Sequence, residues 1–228
     1  MWVDVDLEAV GVRGLNERLH AISAGVTDAR WRIRNPHGLH NIAVGADSPV
    51  SLLIEGHVGY YCAGMNKLAN ITVAGHAGVG LAENMMSGVV RVQGNASSSA
   101  GATGRGGLLV IEGDASSRCG ISMKGIDIVV GGSVGHMSAF MAQAGRLIVC
   151  GDAGPGLGDS IYEAEIFVRG SADDLGADCI VKEMSREQRE GLVSLLQRAG
   201  FDHDPSDFRL YGSARNLYNF HIDNAASY

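Results

Sequence analysis

"RLIVCGDAGPGLGDS" (residues 146–160) decides the fold, because it can be read in two ways. An apolar run, Leu147, Ile148 and Val149, leads into Gly154, Gly156 and Gly158 as a strand leads into a phosphate-binding loop. A glycine fingerprint of this length needs a strand before it and a helix after it. No amphipathic helix follows, since Ile166 to Val168 already reads as the next strand. The other reading makes the stretch one copy of a repeat.

The repeat is present. Gly56, Gly75, Gly94, Gly113, Gly132, Gly151 and Gly170 stand 19 residues apart without a slip. Two residues before each is a β-branched aliphatic: Ile54, Val73, Val92, Ile111, Val130, Val149 and Val168. Four before each is another aliphatic, and two after each is a small apolar residue, from Val58 and Ala77 to Ala172. Apolar residues at every second position are strand periodicity, with one face inward. Units this short cannot each bury a face alone, so each strand must pair with its equivalent in the next unit. The expected fold is all-β, a right-handed parallel β-helix of about seven 19-residue coils. "GDAGPGLGDS" (151–160) is then a corner equivalent to "GHAGVGLAEN" (75–84), its glycines letting the chain turn.

Bulk properties agree. At 228 residues the chain suffices for one well-buried domain with appendages. The 33 glycines are about twice the usual ~7 % share, as frequent turning requires. A formal net charge of −7 argues against binding nucleic acid or an anionic membrane. No membrane-spanning apolar run and no basic-then-apolar leader is visible, so a cytoplasmic location is expected. The four cysteines show no C-x-x-C spacing that would suggest a metal knuckle or cluster.

The ends break the pattern. Residues 1–39 read as an N-terminal helical cap, its helix carrying Leu7, Val10, Leu15 and Leu19 on one face. Residues 40–181 are the β-helix, and 182–228 a C-terminal helix with an extended tail. Ser185 with Gln188 forms a capping box, Leu192, Leu195 and Leu196 the buried stripe, and Gly200 the stop. Both helices are expected to close the exposed ends of the stack.

Three features could carry chemistry or contacts. The residue after each anchor glycine is polar: His57, His76, Asn95, Asp114, Ser133, Asp152 and Ser171. Such side chains bond the backbone of their own turn; alternatively His57 and His76, one coil apart, share a metal, though no third ligand converges. Cys62 and Cys119 share a row three coils apart, roughly 14 Å of rise, too far for a disulfide. Eleven after the anchor come Lys67, Met86, Arg105, Lys124, Gln143 and Tyr162. Arg105 and Lys124 would stack like charges unless solvated or met by acidic groups of a partner. The tail holds six of the chain's aromatics, and Tyr211, Arg215, Tyr218, Asn219 and Phe220 read as partner-facing; folding back over the β-helix is the other reading.

The runs "GHVGYYCAGMN", "GHAGVGLAENMMSG", "RCGISMKG" and "GDAGPGLGDSIYEA" resemble the GXGXG β-helix family. That domain ends the glutamate synthase large subunit and occurs in a formylmethanofuran dehydrogenase subunit. "NPHGLHNIAVG", "LGADC" and "GSARNLYNFHIDNA" are more similar still to the free-standing β-helix subunit of N-methylglutamate synthase. The resemblance implies a non-catalytic scaffold in a hetero-oligomer. Its partners would be a glutamine-amidotransferase-like subunit and a glutamate-synthase-like subunit holding FMN and an iron–sulfur cluster. It implies no catalytic, cofactor-binding or metal-binding residue in this chain. Trp2 stands where the amidotransferase's nucleophilic cysteine would, and no flavin-barrel pattern or cysteine cluster is visible.

Overall fold

In the computed structural model, which describes residues 2–22 and 29–215, the repeat winds into a parallel β-solenoid. Seven short strands form its regular part: β3 (Ser51–Ile54), β4 (Asn70–Val73), β5 (Val89–Val92), β6 (Leu108–Ile111), β7 (Lys124–Val130), β8 (Ala144–Val149) and β9 (Glu165–Val168). Each pairs in parallel with the next at an offset of 19 residues, as Leu52 with Ile71 and Ile54 with Val73, apart from a bulge between Lys124 and Asp127 in the β7–β8 pair. All fourteen aliphatics two and four before the anchors are buried. A second, narrow ladder of bridges joins Val58, Ala77, Ala96, Ala115, Val134 and Ala153. Residues six and ten after the anchor, such as Leu81 and Met85, also point inward and are fully buried.

Between these inward rows the backbone runs through left-handed conformations, and most are not glycine. Tyr61, Ala63 and Met65 have φ of 58°, 57° and 55°, and Ser99, Arg118 and Met137 continue the first of these rows. Such conformations cost non-glycine residues energy. Here both neighbouring coils hold them: Tyr61 N–H donates forward to Val79 (2.8 Å) and Ala63 N–H backward to Ile42 (2.9 Å).

The anchor glycines serve a different need from the expected one. Gly75, Gly94, Gly113, Gly132, Gly151 and Gly170 do not have positive φ. A Cβ on Gly75 would lie 2.7 Å from the carbonyl carbon and oxygen of Gly56, and one on Gly151 2.7 Å from the carbonyl carbon of Gly132. The coils approach so closely along this row that no side chain fits.

The N-terminus departs from the expected single helix. β1 (Trp2–Asp6) and β2 (Arg30–Arg34) extend the sheet in parallel, flanking α1 (Leu7–His20). "VDVD" alternates as a strand does, and Asp6 ends it by accepting the Glu8 N–H (2.9 Å) as the helix cap. Leu7, Leu15 and Leu19 seat α1 on the end of the solenoid core. Asn16 closes that end, its amide donating to Asn41 O (2.8 Å) and its oxygen accepting the Ala43 N–H (2.9 Å).

At the other end α2 (Arg186–Ala199) has the expected capping box and a left-handed Gly200, but it does not sit on the stack's end. It lies against the outer face of the sheet. Leu192, Leu195, Leu196 and Ala199 pack with Val110, Val129, Ile148 and Phe167, the residues three before each anchor. Arg91 anchors its C-terminus, donating to Ala199 O (2.9 Å), where a cation suits the helix dipole. The stack's end is closed instead by β11 (Arg209–Ser213), which runs antiparallel between β9 and β10 (Cys179–Lys182).

Candidate functional site

The polar row after the anchors forms a continuous ladder along one outer corner. His57 Nδ1 accepts the His76 N–H (2.9 Å), and His76 Nδ1 accepts the Asn95 N–H (2.8 Å). Asn95 Oδ1 accepts from Asp114 N–H (3.0 Å), and Asp114 Oδ1 from Ser133 N–H (2.8 Å). Ser133 Oγ accepts from Asp152 N–H (3.0 Å), and Asp152 Oδ1 from Ser171 N–H (2.7 Å). The bonds therefore go to the next coil, not to the residue's own turn as expected. The backbone N–H and then the hydroxyl of Ser171 hold the Asp152 carboxyl below the usual carboxylate range.

His57 and His76 stack at 4.9 Å with their planes 11° apart. Because each Nδ1 accepts, each ring carries its proton on Nε2. A metal would find both Nδ1 lone pairs occupied and would have to compete with main-chain rungs. Among the described residues no three His, Cys, Asp or Glu side chains come together.

The thiols face inward. Cys62 and Cys119 occupy the buried row six after the anchor, and burial pushes each up to about 12; Cys150 and Cys179 are pushed up to about 11. All four are free and buried, an environment that suppresses the reactive thiolate. At the stretch that raised the phosphate-loop question, Gly154 N–H donates to Val134 O (2.8 Å) and Gly158 N–H to Ser138 O (2.9 Å). Those donors bind the preceding coil, and the corner runs on into β9 with no helix between.

Arg105 and Lys124 stand in successive coils as expected, both exposed, and neither has an ion-pair partner among the described residues. Tyr211 is a correction: it is 2 % exposed and belongs to the core closed by β11, so its ring serves this chain's own fold. The aromatic tail thus folds back as far as Ser213. Arg215 is exposed and ion-paired with Asp178. It borders a cleft of about 240 Å³ whose walls include Tyr162, Glu163, Lys182 and Gln188. Tyr218, Asn219 and Phe220 lie outside the described residues. No helix among the described residues is long and apolar enough to cross a membrane.

The sequence is 59 % identical to Protein GlxC of Rhizobium meliloti (strain 1021) over 225 residues, covering 98 % of this chain and 99 % of that protein. The chain belongs to the GlxC family. No protein-family model matches it. The relationship to GlxC runs from end to end, so it takes in the N-terminal helix and the C-terminal segment together with the solenoid. What this member of the GlxC family presents outward is a solenoid with a polar corner spent on its own backbone and a second edge where Arg105 and Lys124 have no ion-pair partner among the described residues.

Proposed function

We propose that the chain is the non-catalytic scaffold subunit of a glutamate-synthase-like complex, of the N-methylglutamate synthase type. One partner is glutamine-amidotransferase-like, and the other is an FMN-binding glutamate-synthase-like subunit that also holds an iron–sulfur cluster. The complex exchanges methylamine for ammonia on glutamate, giving N-methylglutamate. The β-helix resemblance supports a glutamate-synthase-like complex, and the motifs at residues 35–45, 175–179 and 212–225 support the N-methylglutamate synthase type.

The observation that carries the structural role is the six-rung ladder. The side chains best suited to chemistry on an outer corner, two histidines and two aspartates among them, accept N–H groups of the next coil. They are committed to holding the column together. A column hydrogen-bonded in every coil keeps surfaces far apart at fixed separation, which suits holding two partner subunits in place.

The test is to purify the chain alone and with both partner subunits. A colourless, metal-free chain that forms a stable ternary complex supports the proposal. Flavin, iron or turnover in the isolated chain would falsify it and point to a stand-alone β-helix enzyme, with His57 and His76 as the first residues to mutate.

A further inference from the structure

The second outer edge, nine and eleven residues after the anchor, exposes large apolar side chains and cations among smaller polar ones. Position ten points inward, with Met85 and Met123 fully buried, so its neighbours on either side point out. Met65, Met86, Met141 and Tyr162 are 45 %, 43 %, 40 % and 40 % exposed, and Arg105 and Lys124 lie among them in consecutive coils. These six residues span six coils, about 24 Å at ~4.8 Å per coil.

Charge marks this strip further. The chain carries 25 carboxylates against 18 Lys and Arg, yet the coils anchored at Gly94, Gly113 and Gly132 have no carboxylate from eight to twelve after the anchor. On the sheet's outer face several cations are countered, Arg32 and Arg34 by Asp4 and Glu55, Arg91 by Glu112, and Arg146 by Asp127, although exposed Arg30 beside them has no ion-pair partner among the described residues. Arg105 and Lys124 have no such partner among the described residues. Methionine, tyrosine and arginine are the residues enriched at protein interfaces, and methionine adapts its shape to an opposing surface.

We infer that this strip is the docking surface for a partner protein whose facing patch is acidic around an apolar centre. The inference rests on the scaffold reading and deepens it by naming the edge. A second copy of the chain is the wrong occupant, because two-fold pairing would set Arg105 and Lys124 against their own like charges. The strip is smaller than the ~800 Å² per partner of a stable interface, so it forms the centre of a larger contact.

The test is calorimetric or surface-based binding of each purified partner subunit to the wild type, to Arg105→Glu/Lys124→Glu, to Met86→Asp, and to Gln93→Glu on the sheet face as control. All four sites are on the surface, and matching melting curves check that the variants fold. The inference expects one subunit to bind the strip variants about 30-fold more weakly, with a reduced salt dependence for the charge reversal, while the control binds normally. Undiminished binding by both strip variants overturns the inference and leaves the scaffold reading standing. Failure of the wild type to bind either subunit overturns the scaffold reading itself. Self-association that the strip variants abolish, or partner binding that strengthens when residues 216–228 are removed, assigns the strip to a second copy or to the chain's own end and also overturns it.

Discussion

Replacing Gly75 by alanine should destabilise the column sharply. A Cβ there meets three main-chain atoms, the carbonyl carbon and oxygen of Gly56 at 2.7 Å and the nitrogen of His57 at 2.8 Å. Ordinary carbon contact is ~3.5 Å, so the two coils must part by about 0.8 Å. Four hydrogen bonds cross this point: Ala74 N–H to Ile54 O (2.9 Å), His76 N–H to His57 Nδ1 (2.9 Å), Val58 N–H to His76 O (2.9 Å) and Gly78 N–H to Val58 O (3.0 Å). Stretching them beyond bonding range loses two or three, at ~1 kcal/mol each. Overpacking adds ~1–3 kcal/mol. The expected destabilisation is therefore ~3–6 kcal/mol, a fall of ~1–3 M in the urea midpoint at a slope of ~2–3 kcal/mol/M. Gly14→Ala is the internal comparison. Its Cβ would find only Val10 Cβ at 3.6 Å, inside α1, so it should stabilise by ~0.5–1 kcal/mol. Urea unfolding followed by far-ultraviolet circular dichroism reads both. If Gly75→Ala unfolds within 1 M of the wild type's midpoint while keeping its slope, the close-approach reasoning is wrong.

Other outcomes follow from single contacts. Arg91→Ala removes the cation at the end of α2 and should cost ~1–2 kcal/mol, seen as faster hydrogen exchange in residues 192–199 than in the strands. The Asp152 carboxyl is held below its unfolded value of 3.8, so its rung stabilises fully above that pH and is lost as pH falls through the lower folded value. Asp152→Asn keeps the acceptor for the Ser171 N–H but cannot titrate, and should flatten the acid limb of a stability-versus-pH curve. Cys62 and Cys119, with thiols pushed up to about 12, should resist a thiol reagent at pH 8 in the native protein, and all four cysteines should react at once in 8 M urea.

Much of this architecture is readable from spacing. The two aliphatic rows and the small residue after each anchor identify the strands and the stack, because each coil repeats the same inward choice. The C-terminal helix was expected on the stack's end, yet the sequence carries a signal for its true seat that shows only when coils are compared. Three before the anchor the residue changes from Thr72 and Arg91 to Val110, Val129, Ile148 and Phe167, marking where α2 lies. A single unit shows no such change. The ends resist reading for a different reason: β1, β2 and β11 gain their stability from pairing with distant strands, and their own segments are short. Tyr211 illustrates this, since an aromatic suited to an interface is equally suited to closing a core. At the outer corner, polarity after each glycine was plain, whereas its partner in the next coil follows from the stacked geometry alone.

The most direct measurement is turnover by the reconstituted parts. The amidotransferase-like and flavin-binding subunits would be assayed for N-methylglutamate formed from glutamate and methylamine, with and without stoichiometric amounts of this chain. The account predicts no product from the chain alone, little from the two partners together, and full activity once all three combine. Product formed by the chain alone, or undiminished activity without it, would contradict the scaffold role.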